Sequence, residues 1–196
     1  MSKANFIWPA MWPGYPNPGS SFFADDPQNQ QLADDYNIVV STSHYEPMQR
    51  ATNEWFETNQ DGSWSWIDNK DKITRFFRDG IKRAQGRESY FTVGMRGEYD
   101  RAMKTDDPAS VVQDVIQTQR RLIQEIHGHE DAVPQLLALY KEVQEYWDTN
   151  RLDVPEDVTL LFADDNFGSN AQTALRGRDS TQWRSRSEQA HFIPPD

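Results

Sequence analysis

The sequence predicts an α/β protein with five parallel strands and helices between them. Two observations carry this prediction. Short apolar or β-branched runs recur along the 196 residues, each closing on polar, Gly or Pro residues, and stretches with helical spacing lie between them. Strands that alternate with helices build a parallel sheet, because each helix returns the chain to the same end of the sheet. The length suits a single domain.

In chain order, residues 6–11 form the first apolar run and 32–36 a short helix. Residues 38–42 (Ile38, Val39, Val40, Ser41, Thr42) are the second strand, and 47–58 and 70–85 carry helical patterns. The third strand is 90–95. Helix 111–127 follows, with Val112, Val115, Ile116, Leu122, Ile123 and Ile126 on one apolar face. His127 and His129 flank Gly128, which reads as a helix C-terminal cap and not as a ligand pair. Residues 134–143 fit either period, since Leu136, Tyr140, Val143 and Trp147 have helical spacing. A strand over 135–140 and a helix from about Glu142 is favoured, because Pro134 and the Gly128-His129-Glu130-Asp131 stretch already end the preceding helix. The fifth strand is 158–163. Beyond Gly168 the composition changes to scattered small polar residues with Arg176, Arg178, Arg184 and Arg186 and no period, so 1–168 reads as the folded unit and 169–196 as a divergent, disordered tail.

Composition removes several classes of function. With 20 Lys+Arg against 31 Asp+Glu, the formal net charge is −11. Such a chain repels a phosphate backbone, and no basic block offsets it, so nucleic acid is excluded as a partner. There is no cysteine, hence no disulfide, no Cys-ligated zinc and no thiolate nucleophile. No apolar run is long enough for a membrane helix, and no membrane partner is expected. The first residues lack a signal-peptide core, which leaves localisation undetermined. Nucleophile-elbow, Walker and dinucleotide glycine motifs are missing. His44 with aspartates from separate strands lacks a metal-ligand spacing, so neither a metal nor a cofactor is expected. Seven Trp invite sugar stacking, although core filling is the better reading for any single one.

The strand ends carry the chemistry. In α/β sheets and barrels ligands meet the carboxyl ends of the parallel strands. Here those ends read His44-Tyr45-Glu46, Arg96-Gly97-Glu98-Tyr99-Asp100, Tyr140-Lys141-Glu142 and Asp164-Asp165-Asn166. Carboxylates gathered at one rim suit glycoside hydrolysis, in which one acid protonates the leaving oxygen and a second carboxylate activates water or attacks the anomeric carbon. Asp165 and Asn166 fit equally well as turn residues. Arg96 suits either an anionic ligand held by two parallel hydrogen bonds or an ion pair with Glu98 or Asp100.

Six separated stretches are familiar as a set: Ile7-Trp8-Pro9-Ala10-Met11-Trp12, Phe22-Phe23-Ala24-Asp25-Asp26-Pro27, Thr42-Ser43-His44-Tyr45-Glu46-Pro47-Met48, Val93-Gly94-Met95-Arg96-Gly97, Ala138-Leu139-Tyr140-Lys141-Glu142-Val143 and Leu161-Phe162-Ala163-Asp164-Asp165-Asn166-Phe167-Gly168. Together, over about residues 5–168, they resemble glycoside hydrolase family 115, the family of xylan α-1,2-glucuronidases. The resemblance implies a partial (β/α)8 TIM barrel from a larger enzyme that removes glucuronic or 4-O-methylglucuronic acid from xylan with inversion. It implies Asp100 and Glu142 as catalytic carboxylates, and His44, Arg96, Asp164 and Asn166 as substrate-binding residues, with Arg96 pairing with the uronate. Which carboxylate is the acid stays open. The implied ligand is glucuronoxylan or an aldouronic oligosaccharide, and members usually act outside the cell.

Departures qualify the likeness. Tyr45 stands where the family usually has a second His, which is expected to alter a hydrogen-bond donor to the sugar; the likeness stops at Gly168, short of the expected continuation, and the resemblance reads the chain as lacking an N-terminal domain and the first barrel strand or strands. Five strands do not close a barrel, so apolar edges at 6–11 and 158–163 predict low solubility or stability in isolation. A non-catalytic carbohydrate-binding remnant, or a remnant with neither property, is the alternative to an active enzyme.

Overall fold

A computed structural model describes residues 4–9, 26, 28–58 and 62–163. Strands β1 (Phe6–Ile7), β2 (Val39–Val40), β3 (Phe91–Val93), β4 (Gln135–Leu139) and β5 (Val158–Phe162) alternate with helices α1 (Asn29–Asp35), α2 (Thr52–Thr58), α3 (Trp66–Ala84), α4 (Pro108–His127) and α5 (Glu142–Asp148). Every pairing is parallel: Phe6 with Val39, Phe91 with Gln135, Gln135 with Val158. A parallel bridge between Val40 and Ser89, with the Tyr90 N–H donating to the Val40 carbonyl at 3.0 Å, joins β2 to the start of β3. The strands therefore follow one another as β1-β2-β3-β4-β5 with helices between them, an arc of a (β/α)8 barrel. Among the described residues β1 pairs only with β2, and β5 only with β4. No described helix is long and apolar enough to cross a membrane.

The strands are shorter than their apolar runs, for identifiable reasons. β3 stops at Val93 because Gly94 adopts φ +91°, a left-handed conformation that breaks the ladder. Residues 41–43 leave the ladder after β2, and their side chains turn inward, where the Ser41 and Thr92 hydroxyls lie 3.3 Å apart. The C-terminal end of the first run, Ala10 and Met11, lies outside the described residues, as does the tail 169–196.

Helix starts differ from the periodicity in the same physical way. Helix α3 begins at Trp66, four residues before the predicted 70, because the Ser65 hydroxyl accepts the Asp68 N–H as an N-cap. Helix α4 begins at Pro108 behind the Asp107 cap and ends at Gly128 (φ +101°), the predicted C-cap. Residues 47–51 are turns and not helix, with Met48 and Gln49 at φ +59° and +60°. The apolar faces of α3 (Ile73, Phe77, Ile81) and α4 (Val112, Val115, Ile116, Leu122, Ile123) are buried together under the sheet residues Phe91, Val93, Leu137 and Leu139. Each such side chain contributes about 1.5–3 kcal/mol on leaving water. Trp55, Trp64, Trp66 and Trp147 are all buried in this core, which is the core-filling reading of the tryptophans.

Candidate active site

Three loops at the carboxyl ends of β2, β3 and β4 converge on one side chain, Arg96. The approach to it is set by Gly94, whose N–H donates to Gln119 Oε1 at 2.7 Å and whose carbonyl accepts from Gln119 Nε2 at 3.0 Å. A fully buried Gln on α4 thus completes the backbone bonds that β3 loses where its ladder stops. Met95 then enters the core and Arg96 turns back over the strand ends, 4% exposed.

Arg96 holds both predicted catalytic carboxylates. Its Nε and Nη2 donate to Glu142 Oε1 and Oε2 at 3.0 and 2.8 Å, a two-pronged pair, while Nη1 bonds the Asp100 carboxylate and, at 2.5 Å, the Asp100 carbonyl. Glu142 takes one edge of the guanidinium and Asp100 another. The two nitrogens nearest them are about 2.3 Å apart in a planar guanidinium, so the nearest carboxylate oxygens are less than about 8 Å apart. His44 Nε2 lies 3.0 Å from Asp100 Oδ1, and Lys141 Nζ lies 3.7 Å from Oδ2. Tyr140 closes the group beneath: its ring centre is 4.7 Å from that of His44, 5.4 Å from the Arg96 guanidinium and 4.8 Å from Lys141 Nζ.

The charges fix one another. Burial works to raise the Asp100 carboxyl, but hydrogen bonds and charge from His44 and Arg96 outweigh it and hold it below its ordinary 3.8. Burial likewise works against the charge of Arg96, and the Glu142 and Asp100 partners more than offset it, raising its pKa further. Asp100 is therefore ionised at neutral pH.

The turn carrying Asp100 is held in an uncommon conformation. Tyr99 and Asp100 both sit at φ +56°, and the Tyr99 N–H donates to the Tyr45 hydroxyl at 2.9 Å. Tyr45 is 1% exposed, and burial pushes its phenol up to about 12, so it remains a neutral hydroxyl. The residue that departs from the family's usual His thus acts inside the fold, as a strut under the Asp100 turn.

Of the sequence-predicted residues, Asp100, Glu142, His44 and Arg96 meet in one cluster, and Asp164 and Asn166 lie outside the described residues. Arg96 forms the ion pair with Asp100 that was one of its two readings, and a second one with Glu142; four of its five N–H groups are engaged within the protein. Sequence reasoning passed over Lys141, the cluster's half-exposed cation, and the buried strut Gln119, and it read Tyr45 only as a departure from the family pattern, not as a strut. The signal for Lys141 was its place beside Glu142 at a strand end. No sequence signal marks Gln119, a polar residue on an otherwise apolar helix face. Among the described residues no three His, Asp or Glu side chains are grouped to hold a metal.

Residues 2–186 match the model of glycosyl hydrolase family 115. A solved structure described as a family GH115 4-O-methyl-α-glucuronidase, BtGH115A, with specificity for decorated arabinogalactans, is 30% identical and superposes with a TM-score of 0.67 over 84% of this chain. The chain spans 22% of that protein's length. No curated protein matches.

Proposed function

From the premise that this chain belongs to glycosyl hydrolase family 115, we propose that it supplies the carboxylate pair of an α-glucuronidase site, which removes glucuronic or 4-O-methylglucuronic acid from polysaccharide side chains with inversion. The observation that supports the reading is the single guanidinium of Arg96 bridging Asp100 and Glu142 at the ends of adjacent strands. An inverting site needs two carboxyl groups about 6.5–9.5 Å apart with room for one water.

In this reading Asp100, ionised and clamped by His44 and Arg96, is the base side of the pair. Glu142, 20% exposed and thus nearer to solvent, is the acid side. Arg96 positions the two carboxylates and has little capacity left for the substrate, so the uronate carboxylate falls to Lys141, 51% exposed beside Asp100. His44, beside Asp100, faces the substrate in this reading, and the family likeness implies substrate-binding roles for Asp164 and Asn166. Glucuronoxylan is the substrate that the family likeness favours; decorated arabinogalactan is the second candidate, after the relative BtGH115A.

Release of methylglucuronic acid from glucuronoxylan or an aldouronic oligosaccharide tests the reading. Glu142→Gln and Asp100→Asn each lower turnover at least 100-fold, and Lys141→Met raises KM more than it lowers kcat. Saturable binding of the aldouronic oligosaccharide without product supports the non-catalytic reading in its place.

A further inference from the structure

The strand end that supplies His44 to the site also carries a carboxyl group that the site does not use. Glu46 follows His44 and Tyr45 in the loop after β2, and its side chain is fully buried. Its Oε2 accepts from the Ser43 hydroxyl at 3.3 Å, and the N–H and hydroxyl of Thr52, the first residue of α2, face the same carboxyl. Its Oε1 has no hydrogen-bond partner. The Glu46 N–H donates to the Ser43 carbonyl at 2.9 Å and the Tyr45 N–H to the Ser43 hydroxyl at 3.3 Å, so residues 43–46 form one tight turn closed by the carboxyl.

The charges around Glu46 are paired with other groups. On its own loop, His44 lies 3.0 Å from Asp100, and Arg50 Nε lies 3.4 Å from Glu54 Oε2. From α2, Glu54 acts on Glu46 as a second negative charge; from α3, Arg83 pairs with Glu54 at 2.7 Å and the charge of Asp79 acts on Arg50. Among the described residues no cation pairs with Glu46 itself. A carboxylate with neither water nor counter-charge is costly, so the buried form is the neutral acid. Burial pushes its pKa up to about 8. Its titratable neighbours lose their protons higher, since burial lowers Arg50 only to about 10 and raises Tyr45 to about 12.

That acid matters because of what its turn carries. His44 Nε2 reaches Asp100 Oδ1, and the Tyr45 hydroxyl accepts the Tyr99 N–H at 2.9 Å. Both contacts to the Asp100 loop come from the two residues that the turn encloses. We propose that Glu46 is a positioning residue for the candidate site: as a neutral acid it pins the turn that holds His44 and Tyr45 against the Asp100 loop, and its ionisation releases them. An ionised Glu46 gains solvation only by drawing the turn outward, because nothing inside neutralises it, and His44 and Tyr45 move with it. The consequence for turnover rests on the glucuronidase reading; the coupling between Glu46 and the Asp100 loop does not.

The experiment compares wild type, Glu46→Gln and Glu46→Ala in the 196-residue chain. Gln keeps the shape and neutrality of the acid, and Ala removes the latch. In the first arm, kcat/KM for an aldouronic oligosaccharide is followed with pH, and the wild-type value is divided by that of Glu46→Gln, which cancels the titration of Asp100 and Glu142. The ratio is level below about pH 7 and falls about tenfold by about pH 9, roughly one unit above the Glu46 pKa of about 8. Glu46→Ala lowers kcat about tenfold or more at every pH. The second arm needs no turnover: 13C NMR follows the Glu46 carboxyl, assigned by its loss in Glu46→Gln, while 15N NMR follows the Tyr99 amide. The Tyr99 signal shifts with the Glu46 titration in wild type and stays in place over the same range in Glu46→Gln. A ratio independent of pH, an Ala variant as active as the Gln variant, or a Tyr99 signal unmoved while Glu46 titrates overturns the proposal. Absence of uronate release from all three proteins at every pH overturns the glucuronidase reading alone, and the Tyr99 signal then decides on Glu46.

Discussion

Replacing Arg96 with methionine keeps the length and apolar stem of the side chain and removes the charge that two carboxylates share. Asp100 is 8% and Glu142 20% exposed, so neither is free to rehydrate fully in the folded state. Removing one partner of a buried ion pair costs about 3–5 kcal/mol, and His44 and Lys141 beside Asp100 keep the effect from exceeding that range. With a urea dependence of about 2 kcal/mol per molar, the unfolding midpoint at pH 7 falls by about 1.5–2.5 M. The sign of the pH dependence follows from Asp100. Its folded-state pKa lies below 3.8, so its contribution is present above that value and is lost as the pH falls through the depressed pKa. The gap between wild type and Arg96→Met is therefore full at pH 7 and closes as the pH drops past 3.8. The triple variant Arg96→Met, Asp100→Asn, Glu142→Gln, which has no stranded charge, recovers to within about 1–2 kcal/mol of wild type. A single-variant cost below about 1 kcal/mol at pH 7, or a triple variant no better than the single one, refutes Arg96 as the electrostatic centre of the site.

Gly80→Ala places a Cβ 2.2 Å from the Met48 carbonyl oxygen and 2.7 Å from Arg50 Cδ, so α3 must part from the loop after β2. The cost in denaturant melts is about 3 kcal/mol or more, against about 1 kcal/mol for Gly86→Ala, which meets only backbone strain at φ +79°. Glu46 is fully buried, and burial pushes its carboxyl from 4.5 up to about 8. The folded state thus holds a proton that the unfolded state releases, and stability falls as the pH rises from 4.5 to 8; Glu46→Gln removes that fall and gains on wild type by a few kcal/mol when urea midpoints are followed from pH 5 to 9. Tyr45→Phe deletes the hydroxyl that accepts the Tyr99 N–H, leaves the melting profile within about 1 kcal/mol of wild type, and lowers turnover of an aldouronic oligosaccharide by loosening the Asp100 turn.

The part of this fold legible in sequence is the part that repeats. Val39-Val40, the Phe91 and Val93 flanking β-branched Thr92, and Leu136 to Leu139 are strand-forming whatever surrounds them, and the period of α4 is visible because one face meets the core along its whole length. The segment 135–140, ambiguous by periodicity, is a strand because Pro134 and the Gly128 cap leave no room for the helix to continue. Residues 47–51 read as helix and are turns, since their conformation is decided by distant partners: the Met48 N–H donates to Thr92, and the Gln49 amide donates to the Tyr90 carbonyl. The site divides along the same line. That His44, Arg96, Asp100 and Glu142 all follow strands was readable. That Arg96 would hold both Asp100 and Glu142 was not, because the Arg96 edge taken by Glu142 depends on β3 and β4 pairing in register, Val93 beside Leu137.

The conformations of the two acidic loops show which interaction organises the others. Tyr99 and Asp100 lie at φ +56° and Lys141 at φ +52°, all non-glycine residues on the left-handed side. Each such residue costs on the order of 1 kcal/mol or more relative to an ordinary conformation, and local sequence offers no compensation in Glu98-Tyr99-Asp100 or Tyr140-Lys141-Glu142. The compensation is long-range. Arg96 bonds both the backbone carbonyl and the side chain of Asp100, Tyr45 bonds the Tyr99 N–H, and the two-pronged pair with Glu142 fixes the residue immediately after Lys141. A guanidinium that holds a main-chain carbonyl on one loop and a carboxylate on the next sets the spacing of those loops as well as their charge. Arg96→Lys tests this directly. It keeps the positive charge, but its single ammonium cannot span two edges, so Asp100 and Glu142 lose their mutual placement and uronate release falls about as far as in Arg96→Met while stability falls less. Equal activity for the Lys variant and wild type would make charge alone sufficient and the forked geometry irrelevant.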